Sequence, residues 1–200
     1  MSAATPASYF DAVYAQDDPF GYRERWYEER KRDLLLASLP QPQVESAWEI
    51  GCSNGELTAA LASRCRRLLA TDLNERAVQL AGSRTAAFGH VSVRQARHPD
   101  DWPDGVFDLI VFSEVGYYLD TDDLSAMLQR MRASLSDDGV LVACHWLAPF
   151  EQAPLTGRQV HRLLHRQLRL PRLFSYTDGD LRLDGWGMRD RSVAQRTGLR

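Results

Sequence analysis

Long apolar runs, paired cysteines and lysines are what this chain lacks. No apolar stretch nears the ~20 residues that a helix needs to cross a bilayer, so no membrane span is expected. The three cysteines, Cys52, Cys65 and Cys144, have neither paired nor metal-ligand spacing. No metal site is therefore expected. With no signal-peptide pattern at the start, a reduced, cytoplasmic setting is the expectation. There is no internal repeat and no low-complexity tract. Lysine occurs once, at Lys31, among 24 basic residues, a bias read as genome composition. A formal net charge of −3 argues against bulk nucleic-acid affinity. The charge is uneven: ten arginines and five acids from Glu151 to Arg200 make that segment +5, leaving −8 for the rest.

What is there is a chain of 200 residues, 44% hydrophobic and 26% charged, as in an ordinary soluble domain with room for a full core. Met1 to Ala7 reads as frayed. Two helices, Ser8–Ala15 and Tyr22–Leu39, flank the turn Asp17-Asp-Pro-Phe-Gly21. On the second, Trp26, Tyr27, Arg30, Leu34, Leu35 and Leu36 cluster around the wheel, and Pro40 and Pro42 end it. Strands then alternate with helices: Glu45–Ile50, Gly55–Ser63, Arg67–Thr71, Glu75–Phe88 (capped by Asn74, stopped by Gly89), Val91–Gln95, Val106–Ser113, Thr121–Leu135 (closed by Asp137-Asp-Gly139), Val140–His145 and Leu155–Leu170. Arg172–Thr177 and Leu181–Trp186 flank Asp178-Gly179-Asp180, a hairpin signal. This order predicts one α/β domain over 1–200: a doubly wound, Rossmann-like, mostly parallel seven-stranded sheet (44–200) with a C-terminal antiparallel hairpin, and N-terminal lid helices (1–40).

The segment Trp48-Glu-Ile-Gly-Cys-Ser-Asn-Gly55, with Asp72 closing the next apolar run, has the layout of a nucleoside-binding strand–loop–helix–strand unit. Gly51 permits a tight turn and Gly55 lets backbone approach a ligand. A carboxylate at the end of the second strand can accept bonds from both ribose hydroxyls. The glycine spacing differs from the dinucleotide fingerprint, and no lysine follows as in a P-loop. Ligands of open α/β sheets sit beyond the carboxyl ends of the strands. Those ends deliver Gly51, Cys52, Ser53, Asn54 and Gly55; Asp72, Leu73 and Asn74; Arg97 and His98; Ser113, Glu114, Gly116, Tyr117 and Tyr118; and His145 with Trp146.

Glu49-x-Gly51-x-x-x-Gly55 with Asp72 resembles the cofactor motif of class I S-adenosylmethionine methyltransferases. More of the chain is similar to one family: Tyr9-Phe-Asp11, Asp18-Pro-Phe-Gly-Tyr22, Trp26-Tyr-Glu-x-Arg-Lys31, the segment Trp48–Thr58, Phe107-Asp-Leu-Ile-Val-x-Ser-Glu-Val-x-Tyr-Tyr-Leu119 and Pro154-Leu-Thr-Gly157 recur in this order in the NodS family of nodulation-factor N-methyltransferases and their relatives. The resemblance implies S-adenosyl-L-methionine as methyl donor. It also implies transfer to the free amine of a de-N-acetylated glucosamine in an oligosaccharide or glycolipid. A small-molecule O- or N-methyltransferase is the alternative, and a catalytically silent cofactor-binding module a third reading. Oligomeric state is not legible.

On this reading Glu49 and the loop from Gly51 to Gly55 face the methionine end of the cofactor, Asp72 takes the ribose, Leu73 lies against adenine, and Arg97, His98 and Trp102 close over the adenine edge. Trp102 has a second reading, a plug beneath a loop. Asp100, Asp101 or main chain are left to recognise the adenine amine. Trp26 and Arg30, with Tyr22 and Tyr27, belong to the lid, Arg30 pairing the cofactor carboxylate. Asn74 and Ser113 complete the cofactor set. An amine acceptor must lose a proton before attack. Glu114 is the first candidate base and His145 the second, with Tyr118 stacking on the acceptor. Gly116 is expected to widen the acceptor pocket. On the Leu155–Leu170 helix, Arg158, Arg162, Arg166 and Arg169 share one side with His161 and His165, read as a solvated face.

Overall fold

In a computed structural model, which describes residues 3–200, α1 (Ala7–Val13) and α2 (Trp26–Ser38) precede an alternating core. That core runs β1 (Val44–Ile50), α3 (Glu56–Ala62), β2 (Cys65–Asp72), α4 (Glu75–Thr85), β3 (Val91–Gln95) and β4 (Phe107–Ser113). A short 3-10 turn (Gly116–Tyr118), α5 (Thr121–Ala133) and β5 (Leu135–Trp146) follow, then α6 (Gly157–Leu168), β6 (Arg172–Thr177), β7 (Leu181–Gly187) and α7 (Val193–Arg196). The seven strands form one sheet in the order β3-β2-β1-β4-β5-β7-β6. β1 to β5 are parallel and the terminal hairpin runs antiparallel against β5, so the fold is the expected Rossmann-like α/β sheet. Among the described residues no helix is long and apolar enough to cross a membrane.

Side-chain alternation builds two apolar layers. In β4, Ile110 and Phe112 pack with Leu124, Met127 and Leu128 of α5, while Leu109 and Val111 face Leu35 of α2 and Leu61 of α3. Both faces of the central strands are therefore covered, as a parallel sheet requires. α2 thus packs on the sheet, beyond its expected place in a lid. Leu35 and Leu39 enter the core and Tyr27, Leu34 and Leu36 of the expected face pack against it, whereas Trp26 and Arg30 turn away and Glu28 and Lys31 are buried instead. Of residues 1–40, α1 and the turns after it line the cavity with Tyr9, Phe10, Tyr14 and Tyr22, and α2 lines it with Tyr27, Glu28 and Lys31. The expected fraying falls partly on residues 1–2, outside the described residues; α1 begins at Ala7 and Thr5 N–H donates to Tyr118 O at 2.8 Å.

Most boundaries agree within two or three residues. Asn74 caps α4, accepting the Ala77 N–H through its side chain, but the helix ends at Thr85, before Gly89. The larger difference is β5, which starts at Leu135 rather than Val140. Leu135 pairs with Phe107, and Ser136 Oγ donates to Asp108 Oδ1 at 2.7 Å. These cross-strand partners are distant in sequence, and they convert a segment rich in turn residues into strand.

Candidate active site

β1 sends its chain to β2 on one side while β4 adds on the other, so the loops after β1 and β4 meet at the switch point. Gly51 stands there with φ +79°, and a Cβ on it would lie 2.2 Å from Val115 Cγ2. Gly55 has φ +83°, and a Cβ there would meet Ala81 Cα at 2.7 Å. Glycine is required at both by conformation and by space. Asp72 fixes the loop between them: its Oδ2 accepts the Ser53 N–H and its Oδ1 the Asn74 N–H, each at 2.9 Å. Burial pushes the Asp72 carboxyl above its ordinary value, offset in part by those N–H groups.

Above these loops opens a cavity of about 670 Å³. Gly51, Ser53, Asp72 and Leu73 line it from β1 and β2, Arg97 and His98 from the end of β3, and Ser113, Glu114 and Tyr118 from β4. Tyr9, Phe10, Tyr14 and Tyr22 cover it from the N-terminal segment. Tyr14 donates its hydroxyl to Ser53 Oγ at 2.8 Å, tying cover to loop. His98 Nε2 lies 3.0 Å from Thr71 Oγ1, and its Nδ1 is buried without a hydrogen-bond partner. Burial lowers its pKa, so the ring is neutral.

Several residues chosen from the sequence lie elsewhere. Glu49, Cys52 and Asn54 line a smaller recess beneath the same loop. Burial holds the Glu49 carboxyl at about 8. Asn54 and Asn74 spend their amides on the cover, donating to Asp18 Oδ1 at 2.9 Å and to Asp11 Oδ1 at 2.8 Å. Gly55 shapes the loop without touching either space. Trp102 is the plug: it packs edge-on against Trp48 at 4.8 Å and donates its indole N–H to Ser134 Oγ at 2.9 Å. Neither Asp100 nor Asp101 lines the cavity, and Asp101 Oδ2 instead accepts the Arg97 N–H at 2.8 Å. Arg30 points away, to Asp178 Oδ2 at 2.9 Å and the Tyr176 hydroxyl at 2.6 Å, and Trp26 is exposed. Both were placed over the cofactor by reading α2 as part of a lid, whereas the residues it buries toward the site are Glu28 and Lys31. Gly116 does not widen the cavity. A Cβ there would meet Val160, Phe112 and His145 in the core. His145 is fully buried beneath the 3-10 turn, where burial keeps it neutral, and does not reach the cavity. His161 points into the core rather than sharing the arginine face of α6.

The residue that sequence reading passed over is Lys31. It is 6% exposed, with its ammonium 2.8 Å from Glu28 Oε2 and 3.3 Å from Glu114 Oε1. The rings of Tyr27 and Tyr22 stand 5.4 and 5.7 Å from it. Burial disfavours this charge, but Glu114 and Glu28 outweigh it and hold Lys31 above the usual lysine range. Glu28, at the same spot, is pushed up by burial. Glu114 adopts φ +59° after β4, and its Oε2 accepts the Tyr117 hydroxyl and, at 3.4 Å, the Trp146 N–H. Neither Glu28 Oε2 nor Glu114 Oε1 receives a well-aligned hydrogen bond, though both lie within ion-pair reach of Lys31. The signal was available: Tyr27, Glu28 and Lys31 fall on one side of α2, and one lysine stands among 24 basic residues. Among the described residues no cluster of His, Cys, Asp and Glu is arranged to hold a metal.

Known proteins share this fold. A Pseudomonas syringae protein provisionally assigned as a methyltransferase is 48% identical and superposes with a TM-score of 0.74, covering 82% of this chain and 99% of that one. The N-methyltransferase NodS of Bradyrhizobium japonicum, solved with S-adenosyl-L-homocysteine, is 25% identical with a TM-score of 0.78, over 90% of this chain and 96% of that one. Nodulation protein S of Bradyrhizobium diazoefficiens is 31% identical over 130 residues, 64% of this chain and 62% of that protein. That of Sinorhizobium fredii is 32% identical over 130 residues, 64% and 60%. The chain thus spans about 60% of the length of these curated relatives. The family model Nodulation protein S (NodS) matches residues 8–145, well over half of the sequence, and the chain belongs to the NodS family.

Proposed function

We propose that this chain transfers a methyl group from S-adenosyl-L-methionine to the free amine of an amino sugar, a de-N-acetylated glucosamine in an oligosaccharide or glycolipid. The observation that carries the reading is the charged end of the cavity, where Lys31 stands between Glu28 and Glu114 beside the Gly51 loop. Two carboxylates against one ammonium leave a negative balance that favours a cationic acceptor in a low-dielectric site.

The residues fit the donor. Gly51 leaves a cradle that a Cβ would fill, Asp72 offers a carboxylate at the cavity wall, and His98 Nδ1 is buried without a partner. When bound, S-adenosyl-L-methionine supplies a methyl on a sulfonium; the acceptor nitrogen forms the new C–N bond as the C–S bond breaks to give S-adenosyl-L-homocysteine. The protein's part is mainly alignment and exclusion of water. Tyr9, Phe10 and Tyr14 cover the cavity. Glu114 draws the acceptor ammonium in and takes its proton, so that a neutral amine attacks. Tyr118 stacks at the acceptor side, and Trp146, 41% exposed at the rim and stacked on Phe150 at 6.3 Å, offers a second flat surface for a sugar ring.

The test is methyl transfer to glucosamine oligomers with and without N-acetyl groups, beside small amines and phenols, with titration of S-adenosyl-L-homocysteine by calorimetry. Methylation of free-amine sugars alone is expected. Donor binding with turnover only of small amines or phenols would assign a small-molecule methyltransferase. Absence of donor binding would overturn the reading altogether.

A further inference from the structure

Beneath the site runs a chain of polar groups, buried but for its arginine end, that takes no direct part in the proposed methyl transfer. His145 Nε2 accepts the Gly116 N–H at 3.1 Å; His145 Nδ1 lies 3.1 Å from His161 Nε2; His161 Nδ1 lies 2.6 Å from Asp184 Oδ2; and Arg182 Nε reaches the same oxygen at 2.6 Å. His145, His161 and Asp184 come from β5, α6 and β7, and each is 0% exposed.

Donor and acceptor rules allow one proton pattern. The Gly116 N–H can only donate, so His145 Nε2 carries no proton and its Nδ1 does. That proton points at His161 Nε2, which must accept, so His161 also carries its proton on Nδ1 and donates it to the Asp184 carboxylate. A second proton on His161 would set N–H against N–H at His145 Nδ1, and one on His145 would break the bond to Gly116. Burial lowers both histidines below their ordinary value, in keeping with neutral rings. It raises Asp184, but the bonds from His161 and Arg182 outweigh it and hold that carboxyl below the usual range.

We infer that His145, His161 and Asp184 form a proton-ordered strut that positions Glu114, with His145 and His161 both locked in the Nδ1–H form. The strut ends at Gly116, two residues after Glu114 and next to Tyr117, whose hydroxyl donates to the Glu114 carboxylate. Tyr117 also packs edge-on against His145 at 5.4 Å. Val160 and Phe112 close around Gly116, and the bond from Gly116 N–H to His145 ties the start of a turn whose other backbone bonds include those from Tyr118 N–H to Val115 O at 3.0 Å and from Leu155 N–H to Tyr117 O at 3.2 Å. Glu114 sits in left-handed backbone, which persists only where its surroundings fix it. His145 and His161 are positioning residues, and their link to turnover rests on the role proposed for Glu114.

Two measurements test this. In the wild-type protein labelled with ¹⁵N-histidine, long-range ¹H–¹⁵N correlation spectra at neutral pH should show both rings as Nδ1–H neutral forms. An Nε2–H or doubly protonated ring at either position overturns the strut, whatever the protein methylates. Kinetically, His145→Gln can still accept from Gly116 and donate to His161, whereas His145→Leu can do neither. His145→Leu should lower kcat for the amine acceptor by about ten- to a hundredfold with S-adenosyl-L-homocysteine affinity changed less than about threefold, and His145→Gln should recover most of the rate. Wild-type kcat in His145→Leu, or equal loss in both variants, refutes the positioning role. If His145→Leu fails to fold, the spectra of the wild type decide.

Discussion

Removing the ammonium of Lys31 should cost more stability than its single position suggests, and the cost should depend on pH in a defined direction. Lys31 faces Glu28 at 2.8 Å and Glu114 at 3.3 Å, with all three side chains 15% exposed or less. At an effective dielectric constant of about 20 these attractions amount to roughly 6 and 5 kcal/mol before desolvation is charged against them. Removing one partner of a buried pair costs about 3–5 kcal/mol net, because the other charge is left uncompensated. For a domain of this size that corresponds to a fall in Tm of about 6–20 °C. In Lys31→Met, Glu28, already raised by burial, loses the ammonium that opposes the rise. A carboxyl whose folded-state pKa lies above its unfolded value contributes most below the unfolded value, and that contribution is lost as pH rises through the folded one. The deficit in Tm should therefore be small near pH 5 and large near pH 8, read by calorimetry or circular dichroism on both proteins. An equal deficit at both pH values, or none, would refute the buried-triad reasoning.

The other expectations are shorter. Glu114→Gln should lower turnover far more than S-adenosyl-L-homocysteine affinity; equal loss of both would move Glu114 to the cofactor's side. Asp72→Ala removes the acceptor of two N–H groups as well as the proposed ribose contact. At about 1.5–3 kcal/mol per charged bond, S-adenosyl-L-homocysteine affinity should fall at least tenfold, and unchanged affinity would refute the ribose assignment. Gly51→Ala meets both a left-handed φ and Val115. Adding Val115→Ala should recover part of the lost stability but not all, since about 1–2 kcal/mol of backbone strain remains; full recovery would show that space alone selects glycine. Glu49, held at about 8, keeps a proton that the unfolded chain releases above its ordinary value. Wild-type stability should therefore fall between about pH 4.5 and 8, and Glu49→Gln should flatten that slope.

Alternation of short apolar runs with amphipathic segments was enough to specify seven strands in one doubly wound sheet, because burial on both faces of a parallel sheet leaves that pattern in the chain. The conformation of the loop after β1 was equally legible, since Gly51 and Gly55 answer to local backbone conformation and Asp72, which holds the loop, follows at a fixed remove. Residues whose role depends on which way a helix turns were not. Reading α2 as part of a lid placed Trp26 and Arg30 over the cofactor, whereas packing on the sheet turned Glu28 and Lys31 inward. His145 at a strand end reads as a base until His161 and Asp184, from α6 and β7, are seen to enclose it. Local backbone preference and hydrophobic period are written within a few residues, and they determined the fold and the loop. Charge pairing inside a cavity joins residues up to 83 positions apart, Lys31 and Glu114 among them, and only the closed tertiary structure, by excluding water around them, decided which charges meet.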